Sequence, residues 1–232
     1  MKFVKKGLLF VIDGTDGAGK KTQSDLLLDR LIQEGYETKL IDFPKYGQPS
    51  AAMVEKYLRG EFGEAKEIGP YVPSIFYATD RFDSKSEMKE WLKKGGIWIS
   101  NRYMSASMGH QAGKIKGVKE RNNYLNWLDN LEFEIFGIPR PDLTLLLFMP
   151  TKVSQKLVDK KGHRDYVGGA KRDIHEADAQ HLIDAAEAYK YVAEKFKWPI
   201  IDCAPDGTID SLKTPKQIHE EIYKIIKQKL VA

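Results

Sequence analysis

The feature that most constrains this chain is a glycine-rich turn between an apolar run and a helical segment. Residues 8–12 are continuously apolar, which is typical of a strand buried on both faces of a parallel sheet. The turn that follows, Gly14-x-x-x-x-Gly19-Lys20, has the spacing of a Walker A loop, whose backbone N–H groups surround phosphate oxygens. Lys20 is placed to bridge the β- and γ-phosphates of a nucleotide. Strand, loop and helix in this order predict a nucleoside-triphosphate site.

Apolar runs and helical periodicity alternate along the rest of the chain. Apolar runs predict further strands at residues 39–43, 97–99, 143–148 and 199–203. Apolar residues at helical spacing predict helices at residues 20–34, 73–93, 122–136, 177–196 and 215–230. This alternation predicts an α/β protein with the three-layer P-loop NTPase fold, in which helices cover both faces of a five-stranded parallel sheet.

Two further segments refine this organisation. The length of 232 residues fits one globular domain spanning residues 1–232. Within it, residues 159–177 combine basic side chains with glycines and are predicted to form a mobile lid. The segment Thr214-Pro215-Lys216-Gln217 has the form of a capping box and predicts the start of the last helix.

Charge and cysteine content narrow the classes of partner and compartment. Lys and Arg number 37 against 33 Asp and Glu, a net charge of +4 that suits a small anionic substrate and does not indicate nucleic acid. The single cysteine, Cys203, excludes a disulfide within the chain and favours a reducing compartment. No segment approaches the ~20 consecutive apolar residues of a transmembrane helix. We therefore expect a cytoplasmic protein with no nucleic-acid or membrane partner.

Several segments, in order along the chain, resemble the thymidylate kinase family of P-loop nucleoside monophosphate kinases. The resemblance covers most of the chain and is more specific than the loop alone. The matching segments are the opening at residues 10–23, Phe43-Pro44-Lys45-Tyr46-Gly47, Phe76-Tyr77-Ala78-Thr79-Asp80-Arg81, Asn101-Arg102-Tyr103 and residues 137–142. The resemblance implies a homodimeric enzyme that uses Mg²⁺ to transfer the γ-phosphoryl group of ATP to dTMP.

The resemblance and the loop together assign residues to ATP and to catalysis. The catalytic residues are expected to be Lys20, Arg102, Asp16 and, in the lid, Arg164. Asp16 is the one protein ligand expected for Mg²⁺. The other ligands are expected to be phosphate oxygens and water. ATP is expected to contact Gly14, Thr15, Asp16, Gly17, Ala18, Gly19, Lys20, Lys21, Thr22 and Arg172.

The resemblance also implies how dTMP is held. Tyr77 would stack on thymine and Arg81 would donate to its O4 atom. Arg102 and Lys45 would clamp the phosphate, because a guanidinium binds phosphate oxygens bidentately. The full set of residues expected to contact dTMP is Asp16, Phe43, Lys45, Tyr46, Tyr77, Arg81, Arg102, Ser107, His110, Asp173 and Glu176.

Some positions depart from the family's pattern and leave alternatives open. Lys21 stands where a Ser or Thr normally ligates Mg²⁺, and Asn101 replaces an Asp. His110 replaces a Tyr that lies against the sugar. One alternative is a kinase for another acceptor, such as dUMP, a modified deoxypyrimidine monophosphate or a deoxynucleoside. Another is a nucleotide-binding protein with little activity.

The dimer face is a separate expectation. Three side chains at residues 124–131 could belong either to the core or to a surface on which two copies pair. They are Tyr124, Trp127 and Leu131.

Overall fold

A five-stranded parallel sheet lies at the centre of the protein, for which a computed structural model describes residues 2–4, 6–158 and 179–231. Its strands are β1 (Leu8–Gly14), β2 (Thr38–Asp42), β3 (Ile97–Asn101), β4 (Leu143–Phe148) and β5 (Ile200–Asp202), in the order β2-β3-β1-β4-β5. β1 pairs with β3 on one side and with β4 on the other. The strand order therefore reverses at β1, and open sheets of this kind bind ligands at the carboxyl ends of the strands there.

Helices connect the strands. They are α1 (Lys20–Gln33), α2 (Ala52–Leu58), α3 (Ala65–Ile68), α4 (Tyr71–Asp83), α5 (Lys85–Lys93), α6 (Met104–His110), α7 (Val118–Asp129), α8 (Thr151–Val158), α9 (Ala179–Phe196) and α10 (Pro215–Leu230). A π-helical turn, Asn130–Ile135, continues α7. The predicted capping box is confirmed, since Gln217 N donates to Thr214 Oγ1 (3.3 Å) and Thr214 N donates to the Gln217 side chain (2.8 Å).

Alternate residues of β1 supply two separate cores. Leu9 and Val11 pack with α5, α6, α7 and α9 on one face of the sheet. Phe10 and Ile12 pack with α1 and α10 on the other face. The α/β fold with a parallel sheet and helices on both faces is thus confirmed, because a strand buried on both faces must be apolar at successive positions.

Two predicted helices differ from those in the structure. The helix expected at residues 73–93 is divided at Ser84, whose backbone (ψ −3°) ends α4 and starts α5. The break lets α4 bury Arg81 while α5 turns Met88 towards the sheet. The helix expected at 122–136 begins earlier, at Val118, and ends in the π-helical turn, where Phe136 N donates to Leu131 O.

Other expectations concern surfaces and the lid. Tyr124 is fully buried and its hydroxyl lies 2.7 Å from Ser74 Oγ, so it belongs to the core and not to a dimer face. The predicted lid, residues 159–177, lies outside the described residues. Within the described ranges, no helix is long and apolar enough to cross a membrane.

Candidate active site

The glycine-rich loop at the end of β1 has a backbone that few other sequences could adopt. Gly14 has φ 151°, and a Cβ atom there would lie 2.0 Å from the Leu147 carbonyl oxygen of β4. Gly19 has the left-handed φ of 81° immediately before α1. Thr15 Oγ1 donates to Met149 O (3.0 Å) and accepts from Met149 N (2.9 Å). The loop is therefore held against β4 and opens towards the N-terminus of α1, where phosphate binds readily.

Lys20 lies inside this loop. Its ammonium donates to Gly14 O (3.0 Å) and Thr15 O (2.9 Å), and the residue is only 8% exposed. Burial, with help from nearby Arg102, lowers the pKa of Lys20 to about 8, although Asp16 raises it. Two carbonyls accept its short hydrogen bonds and the Asp16 carboxylate lies 3.6 Å away, so a phosphate in the loop would give the ammonium a further anionic partner.

Asp16 and Arg102 form an ion pair above the loop. Arg102 Nη2 donates to Asp16 Oδ1 at 2.6 Å, and Lys20 Nζ is 3.6 Å from the same oxygen. Burial alone would raise the pKa of Asp16, but Arg102, Lys20 and His110 hold it well below its usual range. Arg102 has a left-handed backbone (φ 66°) directly after β3, and its N–H donates to Ile12 O. Two cations, Arg102 and Lys20, therefore flank the Asp16 carboxylate beside the loop.

A second buried ion pair lies at the other end of the site. Arg81 Nε donates to Glu132 Oε2 (2.7 Å), and both side chains are almost completely buried. The Arg81 guanidinium also donates to Ser107 Oγ (3.3 Å) and to Tyr103 O (3.4 Å). Glu132 belongs to the π-helical turn and was not predicted as a site residue. The signal in the sequence was a carboxylate flanked by two apolar residues, Leu131 and Phe133. A charged side chain that is buried needs a partner of opposite charge.

One cavity of about 470 Å³ joins the loop to this second ion pair. Tyr77 lies in its wall with its ring perpendicular to that of Tyr57 (88°). Most of the predicted site residues line this cavity: Asp16, Gly17, Gly19, Lys20, Lys21, Thr22, Phe43, Tyr46, Tyr77, Arg81, Arg102, Ser107 and His110. The cavity therefore runs from a phosphate-binding loop to an aromatic wall with a fixed guanidinium.

The comparison with known proteins agrees with this geometry. A family sequence model described as "Thymidylate kinase" matches residues 12–204. The chain belongs to the thymidylate kinase family. Thymidylate kinases of Mycobacterium tuberculosis and of Homo sapiens are each 27% identical to it, over 75% and 72% of this chain and 79% and 72% of their own lengths. A probable thymidylate kinase of Pyrococcus abyssi is 25% identical over 97% of this chain and 98% of its own length.

A solved structure supports the fold. It is that of thymidylate kinase from Candida albicans, which superposes with a TM-score of 0.69 at 22% identity. The match covers 97% of this chain and 92% of that one. The arrangement of strands and helices is therefore that of a P-loop NTPase from this family.

The positions at which the sequence departs from the thymidylate kinase pattern lie together in the structure. Lys21 is exposed and its ammonium donates to Asp25 at 2.5 Å, with Asp42 Oδ2 at 3.8 Å. The pKa of Lys21 is raised, chiefly by the hydrogen bond to Asp25. Asn101 pairs in register with Asp42 across β2 and β3, and both line the cavity. The positive charge of Lys21 is thus balanced by the carboxylates of Asp25 and Asp42.

A few predicted residues lie elsewhere. The Lys45 ammonium donates to Asp83 (2.8 Å), and the residue lines a separate groove beside Trp98. The structure therefore does not bring Lys45 to the cavity. Gly14, Thr15 and Ala18 form the body of the loop, and Thr15 faces a small pocket next to Tyr189. Four predicted residues fall outside the described part of the chain: Arg164, Arg172, Asp173 and Glu176.

Asp13, at the end of β1, was not among the predicted site residues. It is fully buried and accepts hydrogen bonds from Gly14 N (2.7 Å), Ser105 Oγ (2.5 Å) and the Tyr189 hydroxyl (3.0 Å). These donors come from the loop, α6 and α9. Asp13 therefore joins three elements behind the phosphate loop, a supporting role that spacing along the chain does not reveal.

Proposed function

We propose that the protein transfers the γ-phosphoryl group of ATP to dTMP, giving ADP and dTDP. One observation carries the proposal: Lys20 and its loop, Arg102, and the pair Tyr77 and Arg81 line one continuous cavity. A phosphate-binding loop alone is compatible with many reactions. A second site for a flat base, with a guanidinium lining the same cavity, fits a nucleoside monophosphate as acceptor.

The loop end of the cavity suits the triphosphate. Loop N–H groups and the N-terminus of α1 attract anionic oxygens. Lys20 would exchange its contacts with Gly14 O and Thr15 O for the β- and γ-phosphates. This exchange adds phosphate charge to that of Asp16 beside a buried cation, which strengthens the interaction.

The other end suits a pyrimidine nucleotide. Tyr77 offers a flat apolar surface for the base, and Arg81 keeps a fixed direction because Glu132 and Ser107 hold its guanidinium. Arg102 lines the same cavity and pairs with Asp16 of the loop, where it would bind the acceptor phosphate. Tyr46 and His110 line the cavity near the place of the sugar, and Asp16 could accept a hydrogen bond from the 3′-hydroxyl.

The chemistry needs positioning and charge more than proton transfer. An oxygen of the dTMP phosphate forms a bond to the γ-phosphorus while the bond to the bridging β,γ-oxygen breaks in line with it. The attacking oxygen is already anionic, so no general base is required. Lys20 and Arg102 would stabilise the charge that spreads over the transferred group.

Mg²⁺ fits this site through oxygens other than the one first expected. Asp16 Oδ1 already faces two cations, Arg102 and Lys20. Oδ1 of Asp42 and Oδ1 of Asn101 are buried and accept no hydrogen bond from any described residue. Mg²⁺ prefers oxygen ligands and usually keeps several waters, so these two oxygens would hold the ion or its waters. When bound, Mg²⁺ neutralises charge on the β- and γ-phosphates.

Calorimetric titration of ADP with and without Mg²⁺ tests this assignment without turnover. Asp42→Asn should reduce the gain in ADP affinity that Mg²⁺ produces by about tenfold, because a carboxylate binds the ion more strongly than an amide. Asn101→Asp should increase the same gain. Asp25→Asn, which changes the other carboxylate beside Lys21, is the matched control and should alter it little. An unchanged gain in Asp42→Asn would remove Asp42 from the metal site.

The decisive assay for the function is ATP-dependent conversion of dTMP to dTDP by the purified protein. The acceptor panel should contain dTMP, dUMP, dCMP, ribothymidine monophosphate and thymidine. We expect the highest kcat/KM with dTMP. Preference for another acceptor would give the reaction a different substrate. Nucleotide binding without turnover of any acceptor in the panel would refute the proposed kinase activity.

We also propose that the protein is a cytoplasmic homodimer. Cys203 is a buried, free cysteine, which suits a reducing compartment. Tyr71, Ile75 and Phe82 are exposed on α4 at helical spacing, and apolar surface of this kind favours an interface. Light scattering coupled to size-exclusion chromatography tests the dimer, and a monomeric mass at micromolar concentration would contradict it.

A further inference from the structure

His110 contacts Arg102 and His181 contacts His110, and the proposed reaction gives this pair of histidines no role in holding Arg102. Arg102 Nη1 lies 3.2 Å from His110 Nε2, while Nη2 binds Asp16. His110 Nδ1 lies 3.4 Å from Nε2 of His181, and the two rings are nearly parallel (17°). The side chains thus form one row from the phosphate loop to the first turn of α9.

The direction of each hydrogen bond in this row follows from Arg102. A guanidinium carries only donors, so Nε2 of His110 must accept and carries no proton. The proton of a neutral His110 is then on Nδ1, which donates to His181 Nε2. His181 in turn carries its own proton on Nδ1. One choice of tautomers therefore satisfies both contacts, and it makes His110 an acceptor for the arginine.

Electrostatics keep His110 in this neutral form. Burial lowers the pKa of His110 to about 3, and Arg102, His181 and Lys20 add to the effect against the opposing charge of Asp16. The Tyr189 ring closes the remaining side, perpendicular to His110 (84°). A proton on Nε2 would place two donors face to face.

The backbone of α6 and of the turn that follows it, Ala112–Lys114, lets α9 come close enough to build the row. A Cβ atom at Gly109 would lie 2.3 Å from the Tyr189 ring, and one at Gly113 would lie 3.0 Å from Ala185 N. Both glycines are therefore needed where α9 passes. His181 and Tyr189 are eight residues apart on α9 and share one helix face, so the same contact delivers both to His110.

We infer that His110 and His181 are positioning residues for Arg102: His110 accepts a hydrogen bond from its guanidinium, and His181 fixes the tautomer of His110. The inference rests on the proposed function, in which Arg102 binds the acceptor phosphate. If Asp16 were the sole partner, the guanidinium would be held at one nitrogen and could rotate about that contact. His110 holds the second nitrogen and sets the plane that a phosphate must match for bidentate binding.

Variants at residue 110 test the kinetic consequence. His110→Leu removes the acceptor and should raise the KM for dTMP and lower kcat, each about tenfold, since misplacement by about 1 Å can cost about 100-fold. His110→Gln keeps an acceptor and should recover most of this loss. His219→Gln, at a buried histidine of α10 that does not line the cavity, is the control. Equal losses in the Leu and Gln variants would overturn the inference.

Spectroscopy of the unaltered protein tests the tautomer independently of turnover. Magnetic resonance of isotope-labelled histidine shows which ring nitrogens carry protons. We expect His110 protonated on Nδ1 and bare on Nε2 near neutral pH. A proton on Nε2, with normal phosphorylation of dTMP, overturns this inference alone. The expected tautomer in a protein that phosphorylates no monophosphate refutes the proposed function and leaves the hydrogen-bonded row standing.

Discussion

The two ends of the cavity are held in different ways. At the phosphate loop the decisive contacts are with backbone atoms: Gly14 and Gly19 set the turn, Thr15 Oγ1 bonds to Met149 N and O, and Lys20 donates back to Gly14 O. At the acceptor end, partners lie far apart along the chain. Arg81 and Glu132 are separated by 51 residues. Backbone geometry therefore builds one end and side-chain pairing builds the other.

This difference predicts how mutations act. Changes in Lys20 should affect nucleotide binding and catalysis more than stability, because its ammonium donates to carbonyls and the carboxylate 3.6 Å away, Asp16, keeps its pair with Arg102. Changes in Glu132 should affect stability and acceptor binding together, because its partner is a buried cation.

The acceptor end gives the largest expected effect on stability. Glu132→Gln should lower the free energy of unfolding by about 3–5 kcal/mol, because it leaves the buried Arg81 without its counter-charge. Glu134→Gln, which alters an exposed pair with Arg140, should cost less than about 1 kcal/mol. Urea denaturation measures both. Similar losses in the two variants would contradict the buried ion pair.

The loop end gives the largest expected effect on catalysis. Lys20→Ala should reduce kcat/KM by about 100- to 1,000-fold, the usual cost of removing one donor to a developing charge. Lys39→Ala, which removes a surface lysine paired with Glu87, is the control. Steady-state kinetics with dTMP measure the ratio. A loss below about tenfold in Lys20→Ala would show that the loop amides bind the phosphates without it.

The two loop glycines separate steric crowding from backbone strain. Gly14→Ala should cost about 3 kcal/mol of stability, since its Cβ atom must displace the backbone of β4. Gly19→Ala meets open space and should cost about 1 kcal/mol, the strain of a left-handed residue. Thermal unfolding compares them. If Gly19→Ala cost more stability than Gly14→Ala, the backbone of β4 would have moved at little cost to make room for the new Cβ atom.

The smallest expected effect is a dependence of stability on pH. Below pH 6.5 the unfolded chain binds a proton at residue 110, whereas the folded protein does so only near the lowered pKa of about 3. The free energy of unfolding should therefore fall with falling pH in this window. Between about pH 6.5 and pH 5 the fall should be about 1–2 kcal/mol greater than in His110→Gln. Parallel urea curves of the two proteins at both pH values would disprove it.

The sequence predicts the sheet and the loop well because their signals are local. The bounds expected for β4 and α10 agree with the structure, since an apolar run and a capping box mark them directly. α6 was missed, because Met-Ser-Ala-Ser-Met-Gly-His has no apolar stripe of helical period. Its helical form depends on packing against α9, which nothing nearby in the sequence reveals.

The site could be predicted by residue but not by partner. Arg81, Arg102 and Tyr77 reach the cavity as the family resemblance implies. Glu132 was not anticipated as the partner of Arg81, nor His181 as the neighbour of His110, because pairing across 51 or more residues depends on tertiary packing. Lys45 is the opposite case. Its segment matches the family, yet its ammonium donates to Asp83, away from the cavity.

The burial of Lys20 also links nucleotide binding to proton uptake. With a pKa of about 8, some of the free protein carries a neutral amine at this position in mildly alkaline solution. A triphosphate favours the charged form, so binding draws a proton from the buffer. The heat of ATP binding would then vary with the ionisation enthalpy of the buffer, and its apparent affinity would decline as the solution becomes more alkaline.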